Sequence, residues 1–248
     1  MKTTRISPAI IMRVRELGET DLIVTFFTKD KGRLKGIAKG GRKSRKRFAN
    51  CLDLCALSSM EYDIRKGRDL CFLQSCRLLE PFSGLRSDFS SLSLASYMIE
   101  LTEILFPPGV TAPDMFELIR GSFAELASGG EPRITRLLFE AGAMALGGYR
   151  IDLDTCCRCG RPYRGEGRAV FVRESGGIAC LKCGRESPSS PGLGPEAGLA
   201  LRRIQDRPAV VAKDMSWSEE TLGEIREVLS RHMDYRIGRR LKTAQYLA

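Results

Sequence analysis

The chain of 248 residues contains one histidine, His232. Mechanisms that pass protons through an imidazole therefore have a single candidate, which falls in a helical pattern near the C-terminus where a surface or packing role suits it. Carboxylate or lysine chemistry stays open on this ground, but the sequence has no compact carboxylate cluster of the two-metal kind. A phosphate-cradling loop is missing as well: Gly36 to Gly41 is followed by Arg42 before Lys43 and Ser44, one residue out of register for the phosphate-binding lysine. The expectation is a protein that is not an enzyme. Long apolar runs are also scarce. The run Ala9-Ile10-Ile11-Met12 is too short for a signal-peptide core and far below the ~20 residues of a membrane span, so a cytoplasmic protein without membrane contact is expected. No internal repeat is evident.

Nine cysteines make an odd count with no secretory signal, which favours a reducing compartment and turns paired spacing toward metal binding rather than disulfides. Cys51, Cys55, Cys71 and Cys76 fall within or beside expected strands and read as small buried apolar residues. A hydrophobic content of 43% with 28% charged residues supplies ample material for a folded core.

Positive charge is abundant and unevenly placed. Between Lys29 and Arg47 stand ten Lys or Arg and one acid, Asp30, a local net charge of +9 against +10 for the whole chain. The first 80 residues hold 18 basic and 9 acidic side chains and the rest 22 and 21, so the basicity belongs to one end. A polyanion is the partner such asymmetry fits, because a cationic groove neutralises phosphates and releases their counterions whatever the base sequence; a solvated loop is the plainer alternative.

Alternation of apolar and polar positions predicts five short strands in this region. Ala9–Leu17 is the first, Asp21–Thr28 the second, and Lys29-Asp30-Lys31-Gly32 a hairpin into Arg33–Lys39. Period-two alternation puts Arg33, Lys35, Ile37 and Lys39 on one face of that third strand. Gly40-Gly41 ends it, and Arg42, Lys43, Arg45, Lys46 and Arg47 follow in a basic loop before Phe48. Residues Leu52–Ile64, interrupted or bent, and Asp69–Leu79 complete the set, joined by Arg65-Lys66-Gly67-Arg68. The expected fold is a five-stranded Greek-key barrel of the oligonucleotide-binding (OB) type over residues 1–80. Arg33, Lys35, Lys39, Arg42, Lys43, Arg45, Lys46 and Arg47 are its expected DNA contacts. Phe48 and Tyr62 lie close enough to stack on bases, with core packing as the alternative.

After Pro81 the period becomes helical. Leu94, Tyr97, Met98, Leu101, Ile104 and Leu105 share one face of a helix over Ser91–Leu105. Asp114 with Glu117 reads as a capping pair for a helix to about Leu126, and Pro132 opens another over Arg133–Leu146. A weaker helix spans about Pro195–Gln205, and a stronger one after Ser216 carries Leu222, Ile225, Leu229 and Met233 at helical spacing. Residues 81–150 and 188–248 are thus two parts of a helical bundle domain, making the whole α+β and multidomain.

Between them lie Cys156-Cys157-Arg158-Cys159-Gly160 and Cys180-Leu181-Lys182-Cys183-Gly184. Two C-x2-C pairs can each wrap a knuckle around one metal, and the glycine after each permits the tight turn. Ala169–Val172 and Gly177–Ala179 fit the hairpin of a zinc-ribbon insert over residues 151–187, with Cys156, Cys159, Cys180 and Cys183 as ligands to one structural zinc. A redox dithiol pair is the alternative reading. Cys157 has the wrong spacing for the first knuckle, and Ser187–Pro195 reads as a linker.

Taken in order over the whole chain, these features resemble the RecO family of bacterial recombination mediators. The likeness is carried by the Ala9–Leu17 strand with Gly18-Glu19-Thr20-Asp21, by Lys39-Gly40-Gly41-Arg42-Lys43 running into Arg47-Phe48, and by Leu78-Leu79-Glu80-Pro81-Phe82. Leu94-Ala95-Ser96-Tyr97 with Glu100-Leu101, the four ligand cysteines and the final Arg239-Arg240-Leu241-Lys242-Thr243 extend it, Thr243 departing from an expected Lys-Ser ending. The resemblance implies a nucleoid-associated DNA repair protein that binds single- and double-stranded DNA and anneals complementary strands. It also implies work with RecR in loading RecA onto DNA covered by single-strand-binding protein, whose acidic C-terminal tail docks on the helical region. An RNA- or ribosome-associated zinc-ribbon assembly factor is the competing reading of the same parts.

Overall fold

A computed structural model describes residues 2–65, 67, 70–208 and 217–247. The chain divides into two compact units, Met1–Gly130 with Tyr246–Ala248 and Glu131–Gln245. Lys66, Arg68, Asp69 and Ser216, named above in turns and at a helix start, lie outside the described residues.

Five strands build the first unit: β1 (Lys2–Leu17), β2 (Asp21–Thr28), β3 (Gly32–Ala38), β4 (Leu57–Arg65) and β5 (Leu70–Glu80). Their order is β1-β2-β3-β5-β4, and β4 pairs back onto β1 to close the barrel, with β3–β5 its one parallel junction. The first strand begins earlier than the expected Ala9, because its leading half pairs with β4 (Ile10↔Leu57) while its trailing half pairs with β2 (Leu17↔Asp21). A register shift between Ile11 and Arg13 bends the strand between those two neighbours, as closure demands. The fourth strand starts later than the expected Leu52. Asn50 and Cys55 adopt left-handed φ of 54° and 66°, and the Ile11 and Cys55 N–H groups donate to Ala56 and Ile11 carbonyls, which spends residues 50–56 on a plug rather than a ladder. Inward positions fill the barrel: Val24, Phe26, Ala38, Phe48, Met60, Tyr62 and Leu73 are buried, with Phe26 and Tyr62 edge-to-face at 5.6 Å. Cys51, Cys55, Cys71 and Cys76 are buried with them as expected, and burial pushes the Cys55 and Cys71 thiols up to about 12.

Helices α1 (Gly84–Ser87), α2 (Phe89–Leu105) and α3 (Pro113–Ala127) belong to the same unit. The Asp88 carboxylate caps α2 by accepting the Ser91 N–H at 2.7 Å. Leu94, Tyr97, Met98, Leu101 and Leu105 are buried and Ile104 half-buried, while buried Ala95 and Ile99 widen the expected face. The capping pair expected at Asp114 and Glu117 does not form. Pro113 occupies the first helical position, so the cap falls on Ala112, and Glu117 instead accepts from Lys29 and Arg120, each at 2.8 Å. Phe27 against Phe106 and Phe82 against Phe123, both edge-to-face, seat the helical segments.

The second unit contains α4 (Pro132–Leu146), β6 (Asp152–Cys156), β7 (Ala169–Val172), β8 (Gly177–Cys180), β9 (Gly192–Leu193), α5 (Pro195–Asp206) and α6 (Glu219–Ile237). The Glu131 carboxylate caps α4 by accepting from Arg133 and Ile134, and the Ser218 hydroxyl caps α6 by accepting the Thr221 N–H. Sheet order is β6-β8-β7-β9, with the expected β7–β8 hairpin at its centre. The expected linker Ser187–Pro195 supplies β9, because Gly192 and Leu193 pair with Val170 and Ala169. Leu137 and Leu138 of α4, Phe171 and Ile178 of the ribbon, Leu201 of α5 and Ile225 and Leu229 of α6 share one core, so the ribbon packs as a wall of the helical unit.

Candidate nucleic-acid interface and metal centre

The basic loop is held at both ends by hydrogen bonds that start far from it in sequence. Gly40, at φ 65°, donates its N–H to Asp21 Oδ1 at 2.8 Å, and this bond holds the Asp21 carboxyl below the usual range. The Arg42 N–H donates to the Thr20 carbonyl at 3.0 Å, so the β1–β2 turn and the loop entrance form one unit. At the exit, the Cys76 N–H of β5 donates to the Arg47 carbonyl at 2.8 Å, and Arg47 Nη2 reaches back to the Lys39 carbonyl at 2.5 Å. Arg42, Lys43, Arg45, Lys46 and Arg47 are all exposed around this clasp. Phe48 and Tyr62, offered above as base-stacking residues, are 5% and 0% exposed and belong to the core. Alternation along β4 turns Tyr62 inward, whereas Phe48 packs into the barrel core from the loop between β3 and β4, where Arg47 covers its ring at 5.1 Å.

Next to the loop, the register lines up further cations on the outer face. Arg13 stands opposite Thr25, which stands opposite Lys35; one step along, Arg15, Ile23, Ile37 and Phe72 form the neighbouring row. A cleft of about 890 Å³ opens here, lined by Arg13, Arg15, Thr25, Arg33 and Lys35 from the barrel and by Glu103 from α2. The Gly109 N–H donates to the Arg33 carbonyl at 2.9 Å, which sets the rim, and Arg33 Nε is buried without a hydrogen-bond partner. Lys39 places its ammonium over the half-buried Phe72 ring at 5.9 Å. Arg13, Arg15 and Phe72 are additions to the sequence reading. The i, i+2 spacing of the two arginines was the available signal, but their alignment with Lys35 depends on the β1–β2–β3 register.

Of the eight expected contact residues, Arg42 alone has a carboxylate partner among the described residues, Glu16 at 3.0 Å. Arg13 is paired with Glu103 at 2.7 Å and Lys29 with Glu117 at 2.8 Å. Exposed pairs of this kind are worth ~0–1 kcal/mol, far less than a polyanion offers to an array of cations, so the face keeps its positive potential.

In the second unit the Sγ atoms of Cys156, Cys159, Cys180 and Cys183 lie within 4.8 Å of one another. Two knuckles turn the sulfurs together. The Gly160 and Gly184 N–H groups return to the Cys156 and Cys180 carbonyls, each at 2.9 Å; Gly160 needs its left-handed φ of 70°, whereas Gly184 is small because Ala179 and Val170 crowd it. Burial raises the Cys156 thiol, but N–H groups of Cys180, Cys159 and Arg158 outweigh it and bring the group down to about 6. The Cys180 thiol is likewise lowered, led by the Lys182 N–H, while hydrogen bonding from the Cys180 and Cys159 side chains pushes Cys183 up to about 12. Such a mutually perturbed set of sulfurs, supplied with backbone donors, fits one tetrahedral metal ion and leaves no ligand position for water. Cys157 points away and is exposed, its N–H spent on the Ile178 carbonyl at 2.7 Å.

A closed five-stranded barrel with a cationic outer face, continued in one chain by helices that carry a four-cysteine cluster, defines a DNA-binding protein of the OB-fold class. Residues 1–82 match the family model described as recombination protein O N terminal, and residues 86–245 the one described as recombination protein O C terminal. The chain belongs to the RecO family, and its role lies in DNA repair and recombination. It is 33% identical over 239 residues to DNA repair protein RecO of Anaeromyxobacter sp. (strain K), covering 96% of this chain and 93% of that one. It is 36% identical over 206 residues to DNA repair protein RecO of Geobacter metallireducens, covering 82% and 80%, and 38% identical over 180 residues to that of Syntrophobacter fumaroxidans, covering 73% and 71%. Among the described residues no helix is long and apolar enough to cross a membrane.

Proposed function

We propose that this protein is a non-enzymatic recombination mediator that binds single- and double-stranded DNA through the barrel. It anneals complementary strands and, with RecR, helps load RecA onto DNA covered by single-strand-binding protein. The observation that carries the reading is the set of cations on the barrel, Arg13, Arg15, Arg33 and Lys35 lining the cleft and Lys39, Arg42, Lys43, Arg45, Lys46 and Arg47 exposed at the end of β3 and along the basic loop, most of them without acidic partners among the described residues. Neutralising the backbones of two strands lowers their repulsion and raises their local concentration, while base pairing supplies specificity, so annealing needs no catalytic residue. In the helical unit the four cysteines hold one structural zinc, whose part is to fix the two knuckles.

The test is a variant with Lys39, Arg42, Lys43, Arg45, Lys46 and Arg47 changed together to Ala, titrated with DNA across a salt series. Six lost phosphate contacts flatten the slope of log affinity against log salt by up to about 4 for a single strand, at an unchanged fold by circular dichroism. An unchanged slope places the groove elsewhere. Competition among single-stranded DNA, duplex DNA and structured RNA at matched salt separates this reading from an RNA-associated factor, which clear RNA preference would establish.

A further inference from the structure

Each of the four clustered cysteines is followed two residues later by a cation: Arg158 after Cys156, Arg161 after Cys159, Lys182 after Cys180 and Arg185 after Cys183. The knuckles thus repeat one six-residue pattern, cysteine, any residue, Arg or Lys, cysteine, glycine, arginine. All four cations are exposed, and none forms an ion pair among the described residues. The carboxylates near them are engaged elsewhere: Glu174 holds Arg173 at 2.8 Å, and Arg168 takes Glu186 at 2.9 Å and Glu224 at 2.7 Å. The ribbon therefore pairs two of its arginines and leaves Arg161, Lys182 and Arg185 open, while Arg158 acts on Glu174. Arg158 also donates to the Cys183 carbonyl, which ties one knuckle to the other. With the sulfurs inside 4.8 Å of one another, the two knuckles that carry these cations meet at a single centre.

Neutralising the metal site does not account for this number. A divalent ion in four thiolates carries a charge of about −2, which two cations offset. The two knuckles carry four, beside Leu181, an apolar side chain 57% exposed on the second knuckle. Guanidinium forks on a rigid scaffold match phosphate oxygens in pairs, and an adjacent apolar side chain suits a sugar or base face.

We infer that the knuckle end of the ribbon is a second DNA site, taking the sugar–phosphate backbone of one strand on Arg161, Lys182 and Arg185 with Leu181 against its bases. This inference rests on the proposal that the barrel binds DNA. It gives the chain two separate grips, so that a second strand is captured from the same molecule at high effective concentration.

The experiment uses the full-length, metal-loaded protein in four forms: wild type, the six-alanine barrel variant, Arg161→Ala/Lys182→Ala/Arg185→Ala, and the two combined. Arg158 is kept because of its bond to the Cys183 carbonyl. Two non-complementary oligonucleotides carrying a donor and an acceptor fluorophore report co-occupancy without base pairing. The ribbon variant should keep its metal and its barrel binding, lose at least tenfold in co-occupancy, and show a salt slope lower by about 2. Arg161→Lys with Arg185→Lys, Lys182 retained, should restore only part of the co-occupancy, since the charge is kept and the forks are lost. The barrel variant should retain a weak binding that the combined variant lacks. Equal binding by barrel and combined variants overturns the ribbon site and leaves the barrel reading intact. Loss of all binding in the ribbon variant, with none in the barrel variant, overturns the barrel reading instead. Retention of an acidic polyglutamate peptide, but not of oligonucleotide, by the barrel variant also overturns the DNA site.

Discussion

His232 Nε2 donates to the Tyr149 carbonyl at 2.7 Å, the ring lies edge-to-face with Phe171 at 5.7 Å, and Nδ1 is buried without a partner among the described residues. Since a carbonyl only accepts, Nε2 bears the proton, and a pKa below the ordinary 6.5 keeps the ring neutral at pH 7. Burial first, then Arg236, depress its pKa below the ordinary 6.5, against the opposing pull of the Tyr149 carbonyl. The stability this neutral ring contributes is complete above 6.5 and is lost as pH falls through the lowered folded value, because the unfolded chain takes up the proton first. Denaturant midpoints should therefore drop between pH 7.5 and 5.5 more steeply in wild type than in His232→Gln, which keeps a donor for Tyr149; parallel curves would refute the assignment. On the barrel, Phe48 and Phe72 make a paired prediction. Phe48→Ala should cost about 3–5 kcal/mol of stability as a core truncation, whereas Phe72→Ala should weaken single-stranded DNA binding by about 1–3 kcal/mol with a smaller effect on unfolding. Chemical denaturation and fluorescence anisotropy read the two. Sequence alone did not separate these aromatics, since Phe48 is buried from a loop, where no alternation applies, and the facing of Phe72 depends on the register of β5.

At the scale of the element, the basic loop shows how a charge-rich segment becomes a surface with shape. Its composition was legible from residues 29–47, and the strand before it was assigned correctly, because turn glycines and period-two alternation are local signals. Its two anchors, Asp21 on Gly40 and Cys76 on Arg47, span 19 residues or more and were not legible. The same holds for Arg13 and Arg15. Changing both to Ala should lower the salt slope for single-stranded DNA by about 1, leaving the loop's contribution in place, as read by titration at several ionic strengths. In the ribbon, the four cysteines picked out by spacing are the ones the structure brings together, because a tetrahedral shell imposes short, repeated intervals on the chain. Cys156→Ser or Cys183→Ser should reduce bound zinc from about one ion per chain to near none by elemental analysis, with a loss of soluble yield. A folded variant that keeps its metal would assign the site to other ligands.

For the whole molecule, each compact unit has its own buried cluster: one built on Val24, Phe26, Tyr62 and Leu73, the other on Leu138, Phe171, Leu201 and Ile225. Separate cores allow separate melting. Calorimetry should resolve two transitions, and a zinc chelator should lower only the one that belongs to residues 131–245, because the strands that carry the cysteines share their core with α4, α5 and α6. A uniform shift of both transitions would show that the units unfold as one. Assigning the ribbon to the helical core is a result of packing: Phe171 and Ile178 read as hairpin residues in the sequence, and only their contact with Leu137, Leu201 and Leu229 makes them a wall of the bundle.

Local periodicity, turn chemistry, cysteine spacing and the concentration of charge were written in the sequence and determined the strands, most of the helices and the four-cysteine group. Each is a short-range property, expressed within a few residues whatever the rest of the chain does. Tertiary structure alone decided that β4 closes on β1, that Arg13 and Arg15 line the same cleft as Lys35, that Phe48 and Tyr62 turn inward, and that the four cysteines of the two knuckles come together. Those outcomes depend on register and on contacts between distant segments, where displacement by a single residue reverses which face a side chain occupies.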